Sequence, residues 1–192
     1  MTETTDPRPQ LHAAFDQASR VVAGVAPGQL RGPTPCTEFD VATLAAHMVG
    51  VARRIASVGR GAPQEGAVDV SGIADDGLGK AFDEARQAAF AAWEDDGILA
   101  KELVLPFATL PGVMVARVYA LELTVHSWDL AVATGQVASL DPALADAVLP
   151  VAMQMLPPEP RGGEMPFDPV IAVPETAPSY DRLAGYMGRR PM

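Results

Sequence analysis

The sequence predicts an all-α fold, a bundle built on four principal helices with short strands at most. Three observations predict it. Apolar residues recur at three- and four-residue spacing through successive segments of the 192-residue chain, which is the period of a helix with one inner face. Asp-Pro pairs and glycines punctuate these segments as start and stop signals. Only Leu103-Val-Leu-Pro-Phe107 reads as an extended or hairpin-like piece.

The first helix is expected from Asp6-Pro7, a capping residue followed by a first-turn proline, to about Val22. Its inner stripe is Leu11, Phe15, Ala18 and Val22, and Gly24, Pro27 and Gly28 end it. Gly32-Pro-Thr-Pro-Cys36 then forms a rigid connector into a second helix capped by Asp40 or Thr37. That helix carries the stripe Val41, Leu44, Met48, Val51 and Ile55. Residues 59–77 read as a loop, and a third helix over 78–94 turns Leu78, Phe82, Ala85, Ala89 and Trp93 inward. The fourth helix runs from Gly112 to Thr134, stopped by Gly135 in a left-handed end position. A fifth starts at Asp141-Pro142 and is expected to bend near Pro150, which lacks an amide donor. Leu156–Pro178 is irregular and rich in Pro and Gly, and a short helix over Ser179–Met187 closes the chain. The expectation is one domain over 1–192, with the bundle over about 6–156 and a tail over 157–192.

Composition narrows the function classes. Hydrophobic residues make 48% and charged residues 20% of the chain, the profile of an ordinary globular protein. A formal charge of −10 works against nucleic acid or an anionic membrane as partner, since both attract basic surfaces. No uncharged run reaches the length of a membrane span, because Pro106 and Pro111 interrupt Leu103–Ala116. The start of the chain has neither the basic residues nor the apolar stretch of a signal peptide. A single cysteine, Cys36, excludes an internal disulfide. The expected compartment is the cytoplasm. With 12 Arg against 2 Lys and no Asn, codon usage points to a GC-rich genome.

Chemistry concentrates at three residues. Glu122 and His126 stand one helical turn apart in the apolar segment Val113–Val132, and His47 lies in the apolar segment Val41–Val58. A Glu-x-x-x-His spacing proves little alone, because acids make 24 of 192 residues and His12 with Asp16 has the same spacing. Surroundings separate the pairs. His12, Asp16 and Arg20 lie along a polar, solvated side of the first helix, whereas Glu122 sits in a helix apolar almost all round. A buried carboxylate there costs several kcal/mol unless paired or metal-bound. Two readings stay open on pattern: His126 and Glu122 bond each other with His47 a satisfied core histidine, or all three hold a divalent metal. Three protein ligands leave the open position of a catalytic site.

Other residues carry alternatives too. Asp129, one turn beyond His126, is a candidate to orient that ring or to pair at the helix surface. Trp128 reads as packing, as do Met153 and Met155. Cys36 reads as a small residue in a Pro-rich turn, with acidification by the helix N-terminus as the rival reading. Arg53 and Arg54 read as surface residues, with reception of an anionic substrate as the alternative.

The motifs Pro35-Cys-Thr-Glu-Phe-Asp-Val41, Leu44-Ala-Ala-His-Met-Val-Gly50, Leu105-Pro-Phe107, Leu110-Pro-Gly112, Leu121-Glu-Leu-Thr-Val-His-Ser-Trp-Asp-Leu-Ala131 and Ala133-Thr-Gly135 together resemble the DinB-like metal-binding family. The branch is the one containing mycothiol-dependent maleylpyruvate isomerase and small actinobacterial relatives, whose endings are similar to Asp181-Arg-Leu-Ala-Gly185 and Gly188-Arg-Arg-Pro191. The resemblance implies a DinB-like four-helix bundle with a divalent metal on His47, Glu122 and His126. It favours the metal reading over the hydrogen-bonded pair. Zinc, nickel, iron or manganese suits such donors, with zinc the first expectation. It further implies mycothiol as a low-molecular-weight thiol cofactor, activated by the metal for attack on an electrophilic substrate. Only about 35 residues follow the fifth helix, which favours a detoxifying thiol transferase over the isomerase with its added domain. The alternative is a non-catalytic metal-binding or stress-response module. The expected partners are a small thiol and an electrophile, with pairing of two copies left open.

Overall fold

The computed structural model describes residues 6–161 and 167–191. They form an all-α bundle of six helices: α1 (Arg8–Ala23), α2 (Val41–Gly59), α3 (Leu78–Ala92), α4 (Gly112–Thr134), α5 (Pro142–Met155) and α6 (Ser179–Tyr186). Strands β1 (Glu102–Val104) and β2 (Thr109–Pro111) pair antiparallel as a hairpin, with Leu103 opposite Leu110.

Helices α1 to α4 close a ring in which α1 lies between α3 and α4, and α2 faces the same two neighbours from the opposite corner. Helix α5 packs outside against α4, and α6 against α5. The expected inner stripes are the residues that fill the centre: Leu11, Phe15, Ala18 and Val22, then Val41, Leu44, Met48, Val51 and Ile55, then Leu78, Phe82, Ala85, Ala89 and Trp93, are all buried. Trp93 donates from its indole nitrogen to the Ile55 carbonyl at 2.9 Å, so its polar edge is satisfied where α3 meets α2. Helix α4 is buried along most of its length, as a helix apolar on every side must be.

Helix ends follow local chemistry. Asp40 caps α2 by accepting from the Thr43 amide at 2.8 Å, and Asp141 caps α5 through the Ala143 amide at 2.9 Å. Gly135 ends α4 at φ 74°. Helix α1 begins one residue later than Asp6-Pro7 suggests: Pro7 is the boundary residue, and Asp6 reaches past it to accept the Arg8 amide at 2.9 Å. Helix α3 stops two residues short of 94, at Ala92. Helix α5 continues through Pro150 to Met155. Pro150 is exposed, so the carbonyl left without its amide partner lies on the solvent side of the helix.

The expected irregular stretch after Leu156 has no helix or strand across its described residues before α6, and residues 162–166 of it lie outside them. Among the described residues, α2 is the one helix long and apolar enough to cross a membrane by length and composition, and 67% of that stretch is buried inside the bundle.

One expectation fails in the bundle. His12 is not on a fully solvated face: its ring lies 4.0 Å from that of Phe90 on α3. Its Nε2 is out of solvent with no hydrogen-bond partner among the described residues. The ring packs its apolar face on Phe90 across the α1–α3 contact, and helix periodicity does not reveal such a partner on a neighbouring helix.

Candidate metal centre

The centre sits where α2 and α4 face each other. His47 is on the second turn of α2, and Glu122 and His126 lie one turn apart on α4. The Glu122 Oε1 atom is 3.3 Å from His47 Nε2 and 3.3 Å from His126 Nε2. The two imidazoles meet edge to face, with ring centres 5.0 Å apart. One donor atom from each of the three residues lies within 4.8 Å of the other two. The structure thus brings together the three residues singled out in sequence.

Either a proton or a metal ion between these atoms satisfies the arrangement. His126 Nδ1 is 3.0 Å from Asp129 Oδ2. An Nδ1–H donated to that carboxylate leaves Nε2 as a lone pair aimed at Glu122. A lone pair and a carboxylate oxygen 3.3 Å apart repel unless a proton or a metal lies between them. In the metal-free site it is a proton. Burial would lower the His126 pKa, but the Glu122 carboxylate and the Asp129 hydrogen bond outweigh it and push it up to about 9. Burial would raise the Glu122 carboxyl, yet His126 and then His47 hold it well below the usual carboxylate range.

The donor set fits a divalent metal. Bonds of about 2.0–2.1 Å at a tetrahedral angle put two ligand atoms of one zinc ion about 3.3–3.4 Å apart, which matches both 3.3 Å contacts here. The side chain of Glu122 remains 39% exposed, so solvent reaches the carboxylate. Two clefts of about 440 and 560 Å³ lie elsewhere, one between Arg8, His12 and Phe90, the other around Pro158–Arg161.

The connector before α2 folds back over this site. Thr34 Oγ1 bridges the carbonyls of Cys36 and Phe39 at 2.9 Å each, closing a compact turn. Phe39 covers His47 with ring centres 5.3 Å apart, and Cys36 Sγ lies within 4.8 Å of donor atoms of both His126 and Asp129. Burial pushes the Cys36 thiol up to about 11 despite the nearby Arg189 guanidinium, the direction opposite to acidification by the helix N-terminus. In the second cluster, Cys36, His126 and Asp129, the Arg189 guanidinium already supplies positive charge to the carboxylate. Both oxygens of Asp129 are already engaged, by His126 Nδ1 and by Arg189.

Asp129 is completely buried and faces the His126 ring rather than the helix surface. Trp128 is buried in the core. Arg53 and Arg54 donate to the carbonyls of Ser71, and of Gly66 and Ala67, pinning the loop that follows α2. Sequence reasoning missed Arg189 and the proximity of Cys36. No spacing rule joins residues 60 positions apart, and the only signal was the Gly-Arg-Arg-Pro ending shared with the resembled relatives.

An all-α bundle presenting a His–Glu–His cluster from two facing helices defines the class of protein. Residues 11–131 match the mycothiol maleylpyruvate isomerase N-terminal domain family, and the chain belongs to that family. Two uncharacterized proteins of Mycobacterium tuberculosis, from strain CDC 1551 / Oshkosh and strain ATCC 25618 / H37Rv, are each 33% identical over 188 residues, covering 96% of this chain and 98% of their own. No solved structure gives a significant match.

Proposed function

We propose that the protein binds one divalent metal, zinc, on His47, Glu122 and His126, and uses mycothiol in a thiol-transfer reaction with an electrophilic small molecule. The observation that carries this reading is the single Glu122 oxygen held 3.3 Å from two imidazole nitrogens, on a chain whose family is defined by a mycothiol-linked domain. Bound there, the metal would lower the pKa of a thiol at its open position.

The chain's own groups then have distinct tasks. Asp129 accepts the Nδ1 proton of His126 and keeps Nε2 free as a donor. Two neutral imidazoles and one carboxylate leave a divalent ion with a net charge of about +1, which favours an anionic sulfur as the next ligand. The exposed side of Glu122 leaves room for that thiol, and Phe39 shields one face of His47 from water. The thiolate sulfur forms a bond to an electrophilic carbon, and a leaving group departs with its electron pair. Isomerisation by reversible addition of the same thiolate to a double bond would start from the same site.

Metal analysis of the purified chain beside His47→Ala tests the first half of the reading, with near-stoichiometric metal expected only in the unaltered protein. Mycothiol consumption with a panel of electrophiles tests the second. Bound metal with no turnover across the panel would leave a non-catalytic metal-binding module, and no bound metal would sink both halves.

A further inference from the structure

The buried carboxylate behind His126 has a second partner from the far end of the chain. Arg189 Nε lies 3.0 Å from Asp129 Oδ1 and 3.2 Å from Oδ2, and its Nη2 lies 2.9 Å from Oδ2. This is a two-pronged guanidinium–carboxylate contact, the geometry that fixes a carboxylate in both position and plane. Arg189 is itself held, because its Nη1 donates to the Met187 carbonyl at 3.1 Å.

The end of α6 builds this placement. Gly188 adopts φ 78°, its amide bonds the Gly185 carbonyl at 3.1 Å, and the Arg189 amide bonds the Ala184 carbonyl at 2.8 Å. That pair of bonds is a Schellman reversal. A side chain at Gly188 would also meet the Asp168 carbonyl oxygen at 2.7 Å, so glycine is required there on two counts. The reversal turns the chain off the axis of α6 and lays Arg189 against α4.

We infer that Arg189 is a positioning residue for the metal centre, clamping Asp129 so that His126 presents Nε2 toward Glu122. The inference rests on the metal reading above. It places a necessary part of the centre well beyond residue 131, where the family match ends. The last described segment of the chain is then a strap that completes the site rather than an appendage to the bundle.

Zinc affinity, measured by chelator competition on the full chain, tests the inference with three variants: Arg189→Met, Arg189→Lys and Tyr180→Phe. Circular dichroism of the metal-free proteins is recorded alongside. Tyr180 ties α6 to α1 by bonding Gln17 at 2.8 Å and has no hydrogen bond to Asp129 or Arg189, so its variant loosens α6 while leaving the Asp129–Arg189 contact intact. The expected loss for Arg189→Met is about 10- to 100-fold, the range for groups that orient a metal-binding histidine. Arg189→Lys should lose a smaller factor, keeping the charge but not the two-pronged contact, and Tyr180→Phe should stay near the unaltered affinity. Equal affinities for Arg189→Met and the unaltered chain overturn the inference, as does an equal loss in Tyr180→Phe. If Arg189→Met loses its helical signal, the lysine variant decides, and affinity equal to that of the unaltered chain overturns it. An unaltered chain that binds no zinc removes the metal reading itself, a result distinct from all of these.

Discussion

His12 and His126 each have a carboxylate four residues away on the same helix, Asp16 on α1 and Glu122 on α4. Both rings are withdrawn from solvent, and burial alone lowers the pKa of each. The outcomes are opposite. His12 leans on Phe90, its Nε2 has no partner among the described residues, and its pKa is lowered, with burial outweighing the attraction of Asp16. Asp16 points instead to Arg86 on α3, at 2.5 Å. His126 is gripped from both sides, by Glu122 and Asp129, and its pKa rises to about 9. Equal spacing therefore says little. What separates the two is whether the carboxylate is committed elsewhere, and whether a second acid stands behind the ring.

The largest expected effect breaks the α4 pair. Glu122→Ala should weaken zinc binding by about 300-fold, since three ligands share a binding free energy on the order of 10 kcal/mol. Helical content by circular dichroism should be unchanged, because the removed carboxylate is partly exposed. The corresponding change on α1, Asp16→Ala, should leave zinc affinity unaltered. Equal behaviour of the two variants would dissolve the contrast.

Next is the acid behind the ring. Asp129→Asn leaves Arg189 buried with a neutral partner, at a cost of about 3 kcal/mol in stability. The readout is the midpoint of urea unfolding on the metal-free chain. Met153 on α5 is a comparison: it is exposed, not the packing residue its sequence suggests, because it falls on the outer side of α5, so Met153→Ala should shift that midpoint very little.

How far the site was legible in sequence follows from the same contrast. Helix stripes were readable because core burial imposes a period, and Leu44, Met48, Val51 and Ile55 all obey it. His47, Glu122 and His126 were readable as polar residues in segments otherwise committed to the core. Local chemistry shifted the ends of α1 and α3 by a residue or two. Beyond reach were the partners supplied by a different helix or by the end of the chain: Phe90 against His12, Cys36 beside Asp129, and Arg189 on Asp129. Such contacts are set by how the helices are arranged in space, and neither composition nor spacing encodes that arrangement locally.

The two histidines should also give metal-free protein opposite slopes of stability against pH. His126 binds its proton more tightly folded than unfolded. Its contribution is fully present below about pH 6.5, the unfolded value, and is lost as pH rises through about 9. The loss is on the order of 2 kcal/mol, discounted for the 39% exposure of Glu122. His12 binds its proton less tightly folded. Its contribution is present above about pH 6.5 and falls away as pH drops through its lower folded value. Urea unfolding across pH 5.5 to 9.5 reads both slopes. Glu122→Gln should flatten the alkaline one and His12→Phe the acidic one.

The smallest effect belongs to the pair that imitates the centre. Asp16→Ala removes one partner of Arg86, but Arg86 keeps Asp83 at 2.7 Å on its own helix. The Asp16 side chain is 49% exposed, so its ion pair works in high dielectric and is screened by salt. The change in unfolding free energy should stay within about 0.5 kcal/mol and shrink further in 0.5 M salt. A larger loss, or one insensitive to salt, would mean that the attraction of Asp16 for His12 carries stability that burial does not cancel. The distinction between the two helices would then be one of degree, with burial of the ring and not commitment of the acid as its cause.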